Sequence, residues 1–338
     1  MDLKNRKAVR TAAAQAVLNN PGNPKAVAGV YVATIVGICL LCSLMSLFLD
    51  HRIDQTGGLA NMGLRSILST VSSVLTMVQT LALMFIQLGY QKAALEMARH
   101  RPVQPRTMVV GVSCFGAFLR ATILQYGLYT LLSILAMYAA AFVFMSTPLS
   151  RSFYDLMTPM LSDPNALSTA MSADSALFPQ MAATLMPAIP IFLIFMGLLC
   201  IPFFYGYRMV NYCILNGRGA RASMRESSRM MKGHRLELLK MDLSFWWFYL
   251  AHGLSTVILY GDVLLGMVGV VLPWSANVTY YLFYVLSLLV EGAVYYCFLN
   301  RVETTYTTVY NILRPKDPPT QGVVLGNIFD LAKDHHES

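Results

Sequence analysis

Charge is scarce in this chain. Asp, Glu, Lys and Arg together make up 12% of its 338 residues, about half the share found in a soluble globular domain. Six cysteines are present, at positions 39, 42, 114, 200, 213 and 297, all in or beside apolar runs. None falls in a stretch that reads as an outer loop, which excludes an extracellular disulfide framework. Catalytic signatures are missing as well. No G-x-S-x-G, H-E-x-x-H, G-x-x-x-x-G-K-[ST] or G-x-G-x-x-G occurs, and no group of His, Cys and acids has metal-ligand spacing. A non-enzymatic protein without cofactor or metal is therefore expected, and an intramembrane enzyme is the least favoured reading. Cys39-x-x-Cys42 has no further ligands near it in sequence, so packed or lipid-facing thiols are expected there.

What the chain has in excess is apolar sequence. Hydrophobic residues are 56% of the total, and the mean hydropathy is +0.53. A helix needs roughly 20 apolar residues to cross a bilayer. Six runs reach that length, at 27–49, 66–90, 119–145, 184–213, 241–264 and 277–300. In the fifth, apolar sequence continues to Leu272, which leaves open one long tilted helix or a helix plus a re-entrant piece. The first run is longer than a signal-peptide core and reads as a retained anchor.

The net charge of +8 is unevenly spread. Segments 1–25, 91–107 and 208–240 carry 5, 4 and 8 Lys or Arg, whereas 50–65 and 146–183 carry 2 and 1. This is the positive-inside pattern of six crossings with both termini cytoplasmic, and it needs no nucleic acid to explain it. The expected fold is thus an all-α membrane protein of six transmembrane helices, N-in and C-in, with cytoplasmic amphipathic helices. Residues 1–25 form a cytoplasmic helix, 26–313 the membrane domain, and 314–338 a flexible cytoplasmic tail rich in proline.

Several local features refine that picture. An Ala-rich helix over 3–19 stops at Asn19-Asn-Pro-Gly-Asn-Pro24. Gly29, Ala33 and Gly37 form a small-residue strip that suits close packing inside the bundle. A second interfacial helix is expected after Arg101-Pro-Val-Gln-Pro105. Gly89-Tyr90 and Gly206-Tyr207 are each followed, 27 residues after the glycine, by another glycine (116 and 233), too few matches to establish a repeat. In the long outer connection, Asp163 is placed to cap a helix starting at Pro164. Phe245-Trp-Trp-Phe-Tyr249 suits the inner membrane interface, and Pro273-Trp274 with Tyr280-Tyr281 the outer one.

One segment stands out between the fourth and fifth runs. Arg218, Arg221, Arg225, Arg229 and Lys232 are spaced 3, 4, 4 and 3, which places them within an arc of about 80° on a helix. Ala220, Met224, Ser227, Met230 and Met231 take the opposite face. Like charges at this spacing repel, so an anion must offset the stripe or the stripe must face water. Anionic lipid headgroups, or an acidic membrane-protein partner, are the expected contacts, with the Met face docked on the bundle.

Ionisable groups inside the apolar runs are few. A charge at mid-bilayer costs at least about 2.5–3.5 kcal/mol, so each needs a partner, a cavity or an interface. Arg120 and Asp242 lie near inner ends, where snorkelling or helix-end pairing accounts for them. Glu291, His252 and Asp262 form the candidate intramembrane polar site. Glu291 reads as a hydrogen-bonded structural glutamate or as part of an ion path. His252 and Asp262, ten residues apart, lie roughly 15 Å apart along a helix and do not act together directly.

The residues Tyr207-x-Met209-x-x-Tyr212-x-Ile-Leu215, Ser228-Arg-Met-Met-Lys-Gly-His234 and Leu243-Ser-Phe245 resemble the signature of an uncharacterised bacterial polytopic integral-membrane family, a domain of unknown function. The specific part covers 202–284. Two departures stand out: Trp246-Trp247-Phe248 replaces an Ile-Gly-Trp step, and Pro202 lacks a following glycine. The resemblance implies the membrane fold and brings no activity with it. The expected role is that of a plasma-membrane protein accessory to envelope maintenance, peptide export or resistance to membrane-active peptides. The alternative is a small-solute or ion transporter using Glu291 and the prolines of the fourth run, Pro187, Pro190 and Pro202, since broken helices form substrate sites. Homo-oligomerisation is open on either reading.

Overall fold

The computed structural model describes residues 3–55, 62–109, 113–151, 153–155, 158, 185–267 and 276–314. Among them there is helix and no strand. Asp163 and Pro164, residues 268–272, Pro273-Trp274 and the tail beyond Arg314 lie outside the described residues.

The elements in chain order are α1 (Arg6–Leu18), α2 (Pro24–Gln55), α3 (Met62–Ala98), α4 (Arg106–Val109), α5 (Phe115–Met145), α6 (Ala188–Tyr207), α7 (Val210–Leu215), α8 (Ala220–Met230), α9 (Arg235–Leu243), α10 (Trp246–Leu259), α11 (Gly261–Met267), α12 (Ala276–Val294) and α13 (Asn300–Leu313). A π-helical turn, Tyr295–Leu299, joins α12 to α13. Five stretches are long and apolar enough to cross a membrane: Pro24–Leu49, Ser66–Ala98, Phe115–Met145, Ala188–Leu215 and Val278–Leu313. The chain is thus a multi-pass membrane protein by its helices.

The fifth expected crossing, 241–264, is not one of these. It falls on three helices, α9, α10 and α11, with breaks at Ser244-Phe245 and Tyr260. The first break has a visible cause. Arg6 and Arg10 of α1 hydrogen-bond the carbonyls of Lys240 and Ser244 at 3.2 Å each. Those carbonyls end α9, and the chain turns there to bury Phe245, 2% exposed. At the second break Gly261 lies under the Phe283 ring, where a Cβ would come within 2.6 Å of it.

Two expected helices also run on past their apolar stretch. α3 continues to Ala98, and the last crossing continues through the π turn into α13. With α1 and α7 to α9, these extensions build a packed hub at one end of the bundle. Its core includes Leu88, Leu95, Met209, Ile214, Met231, Met241, Tyr306 and Tyr310. Val9, Ala13 and Ala16 bury one face of α1, which lies against α13 and α3. The breaker after α1 docks on the loop before α4: Asn20 donates to the Arg101 carbonyl (2.9 Å) and Asn23 N–H to that of Val103 (3.0 Å). Only glycine fits at position 22, because a Cβ would collide with the Val103 backbone. Of the expected second interfacial helix, the described residues hold the single turn of α4.

Away from the hub the long helices pack mainly in pairs, α2 with α3, α5 with α6 and α10 with α12. Their outer faces are apolar and exposed, as lipid-facing surfaces are. The strip of Gly29, Ala33 and Gly37 is not a close internal contact along its length, since Ala33 and Gly37 are exposed. The close approach is instead at Gly292, where Val32 and Val36 leave 3.1 and 3.4 Å for a Cβ. β-branched residues of α2 rather than its glycines meet α12.

Candidate functional site

The three acid and imidazole groups expected in the apolar region separate into a pair and a single residue. His252 on α10 and Glu291 on α12 face each other, with Nδ1 to Oε1 at 3.6 Å. This distance suits an ion pair but is too long for a hydrogen bond, and His252 Nδ1 is buried without a hydrogen-bond partner. Tyr295, in the π turn, lies within hydrogen-bonding reach of Glu291, and its ring stacks on that of His252 at 6.0 Å and 15°. Asp262 lies in the first turn of α11. Sequence spacing relates His252 only to Asp262, ten residues on. Such spacing carries no information about a partner on another helix.

Among the described residues, the prolines of the fourth run lie at the start of α6 and inside it. Pro187 is the N-cap of α6 and Pro190 sits in its first turn, where the missing N–H costs nothing. Pro202 lies inside α6, which continues to Tyr207. The break comes at Arg208-Met209, and α8 fills it. The Ser227 hydroxyl donates to the Gly206 carbonyl (3.0 Å) and accepts from the Met209 N–H (3.2 Å). Ser227 is fully buried.

The basic stripe lies on α8 and just to either side of it. Arg221, Arg225, Arg229 and Lys232 are exposed, and the opposite face, with Ser227, Met230 and Met231, is buried in the hub. Arg218 is half-buried and pairs with Glu226 at 2.8 Å, and Arg229 reaches the same carboxylate at 3.2 Å. Part of the offsetting anion is therefore internal. Glu226 is only 7% exposed, and it was readable in the sequence as the one acid within the stripe. Gly217 and Gly233, at φ of +85° and +87°, make the turns on either side of α8. The two glycines of the sequence match differ in their surroundings: a Cβ at Gly89 would collide with the Met108 backbone, whereas at Gly206 it would meet only the Arg235 side chain at ordinary contact distance.

A third group, absent from the sequence-based candidates apart from Asp242, lies within the hub. Asp242 accepts hydrogen bonds from the hydroxyls of Tyr205 (2.6 Å) and Tyr306. The Tyr249 and Tyr306 hydroxyls meet at 3.2 Å. The Arg208 guanidinium sits over the Tyr306 ring at 4.6 Å and over Phe204 at 5.1 Å. Glu303 accepts from Tyr212 at 2.6 Å, and Asn211 donates to Gln91 at 3.0 Å. Tyr90 donates to Asn300 at 2.6 Å, and Asn300 donates to the Pro24 carbonyl at 3.0 Å. A buried charge has to be paired in this way to be tolerated. At the rim Arg99 donates to Asn216 (2.6 Å), and burial lowers its guanidinium pKa from the usual arginine range. The signal for Glu303, Tyr306 and Tyr310 was their spacing on one helix face beyond residue 300, past the point where apolar sequence thins out. The inner aromatic belt is divided by the same packing. Phe245 and Phe248 enter the core, while Trp246 stays 64% exposed.

Arg120 is exposed at the start of α5, as snorkelling requires. Cys39 and Cys42 are buried, and Gln79 donates to the Cys39 sulfur at 3.6 Å. Among the described residues there is no grouping of His, Cys, Asp and Glu fit for a metal ion. No curated protein and no solved structure matches the chain. A family model does, over residues 30–316, and by that match the chain of apolar helices and polar hub belongs to the proteins of unknown function DUF975.

Proposed function

We propose that this is a non-enzymatic multi-pass protein of the bacterial plasma membrane, accessory to another membrane process such as envelope maintenance, peptide export or resistance to membrane-active peptides. In this reading both termini and the hub are cytoplasmic, and α10 with α11 completes a sixth crossing as a bent helix. Together they run from Trp246 to Met267, long enough for a bilayer at about 1.5 Å per residue. The observation that carries the reading is the exposed cationic face of α8, held out by a helix whose other face is locked into the core. A rigid positive face beside a membrane suits anionic headgroups or an acidic membrane-protein partner.

A second reading rests on a specific observation, the His252–Glu291–Tyr295 group within the apolar helices. Ionisable residues at such depth mark ion paths in many transporters. The two readings separate on one experiment with the reconstituted full-length protein. In vesicles under a pH gradient, the accessory reading expects no proton flux from either the wild type or Glu291→Gln. Flux that the substitution abolishes would transfer the function to the transporter reading. A parallel measurement addresses the α8 face. The Arg221→Gln, Arg225→Gln and Arg229→Gln triple variant should lose its cross-linked membrane partner while keeping its thermal stability.

A further inference from the structure

A cavity of about 810 Å³ opens between α1, the corner joining α9 to α10, and α13. Five cations line it: Lys4, Arg6, Lys7, Arg10 and Arg301. Among the described residues of its wall there is no carboxylate. The cations come from two segments far apart in sequence, which packing of α1 against α13 brings together. Two are held in place. Arg6 and Arg10 donate to the carbonyls at the end of α9, and the Arg10 guanidinium lies over the Phe245 ring at 4.8 Å. Lys7 and Arg301 are exposed at its edge. Phe245 and Trp247 supply an aromatic wall.

Cations gathered like this repel one another, and four of them crowd the first turns of a helix whose amide end already carries partial positive charge. A multiply bonded anion relieves both effects. Guanidinium forks and ammonium groups together suit phosphate oxygens. An indole beside them suits the level of lipid headgroups.

We propose that this cavity binds a phosphate-bearing anion, with the phosphodiester headgroup of an anionic lipid and a soluble phosphate compound as the two sources of that chemistry. The aromatic wall favours the lipid. None of the α8 cations takes part, so the site stands or falls apart from the reading of the stripe. Residues 4–10 also precede the family-matched region, which begins at residue 30.

The chain has three tryptophans, so Trp246→Phe with Trp274→Phe leaves Trp247 as a reporter in the cavity wall. The full-length protein is placed in phosphatidylcholine nanodiscs with increasing phosphatidylglycerol, at fixed ionic strength. Trp247 emission should change saturably, and Lys7→Gln and Arg301→Gln should each weaken the response about fivefold. Both side chains are exposed, so thermal unfolding should stay unchanged. Inorganic pyrophosphate, added to pure phosphatidylcholine discs, separates the sources. Saturation by pyrophosphate assigns a soluble ligand, and a saturable phosphatidylglycerol response with none to pyrophosphate assigns the lipid. No saturable response to either probe overturns the proposal. So does an equal loss on Arg221→Gln, because that would mean bulk surface charge rather than a site.

Discussion

Met209, in the hub, has no exposed surface, while Phe142, near the far end of α5, is 75% exposed. Both belong to long apolar stretches of similar composition. The difference lies in what surrounds them. In the hub, short helices cross the ends of long ones, and tyrosine hydroxyls, carboxylates and guanidiniums pair within the packed core. Toward the other end, helices touch mainly one neighbour, and lipid is the solvent for the rest. In lipid there is no hydrophobic gain from bringing apolar faces together. In the hub the side chains of several elements enclose one another on all sides. Hydrogen bonds then fix which hub residues meet.

That comparison predicts an order of effects. The largest belongs to Asp242→Ala, which leaves the Tyr205 and Tyr306 hydroxyls without their carboxylate. A loss of about 2–3 kcal/mol is expected, read as a lowered thermal midpoint in detergent. Ser227→Val comes next, at about 2 kcal/mol, since it orphans the Gly206 carbonyl and the Met209 amide where α6 breaks. A midpoint unchanged by either would mean that the hub is not the stable end of the molecule.

Smaller effects are expected in the apolar half. Glu291→Gln should change stability by less than about 1 kcal/mol, in line with polar pairs between membrane helices. The carboxylate is already beyond hydrogen-bond distance of His252. Phe142→Ala should lie within about 0.5 kcal/mol of wild type. A larger loss there would reveal a protein surface on α5 where lipid is expected, and cross-linking from position 142 would identify it.

Part of this was legible in the residues. The apolar runs located the long helices because a bilayer imposes a minimum length that few soluble sequences imitate. The 3, 4, 4, 3 spacing placed Arg221, Arg225, Arg229 and Lys232 on one exposed face, since a helix's rotation per residue is fixed. Hydrophobicity alone does not locate breaks within an apolar stretch. The stretch 241–264 is apolar enough for one crossing, yet α1 takes the carbonyls at its start, and the chain bends into the hub. Beyond residue 300 polar residues read as the end of a span, when they were the buried face of α13.

The sequence by itself determined the membrane class, the long helices and the outward face of α8, because length, composition and helical phase act locally. Tertiary structure alone decided that His252 meets Glu291, that Asp242 and Glu303 are held by tyrosines, and that α1 brings its cations to Arg301. Each of these depends on how separate helices are rotated and stacked. Packing and hydrogen bonding across the whole chain set that arrangement, and no local pattern contains it.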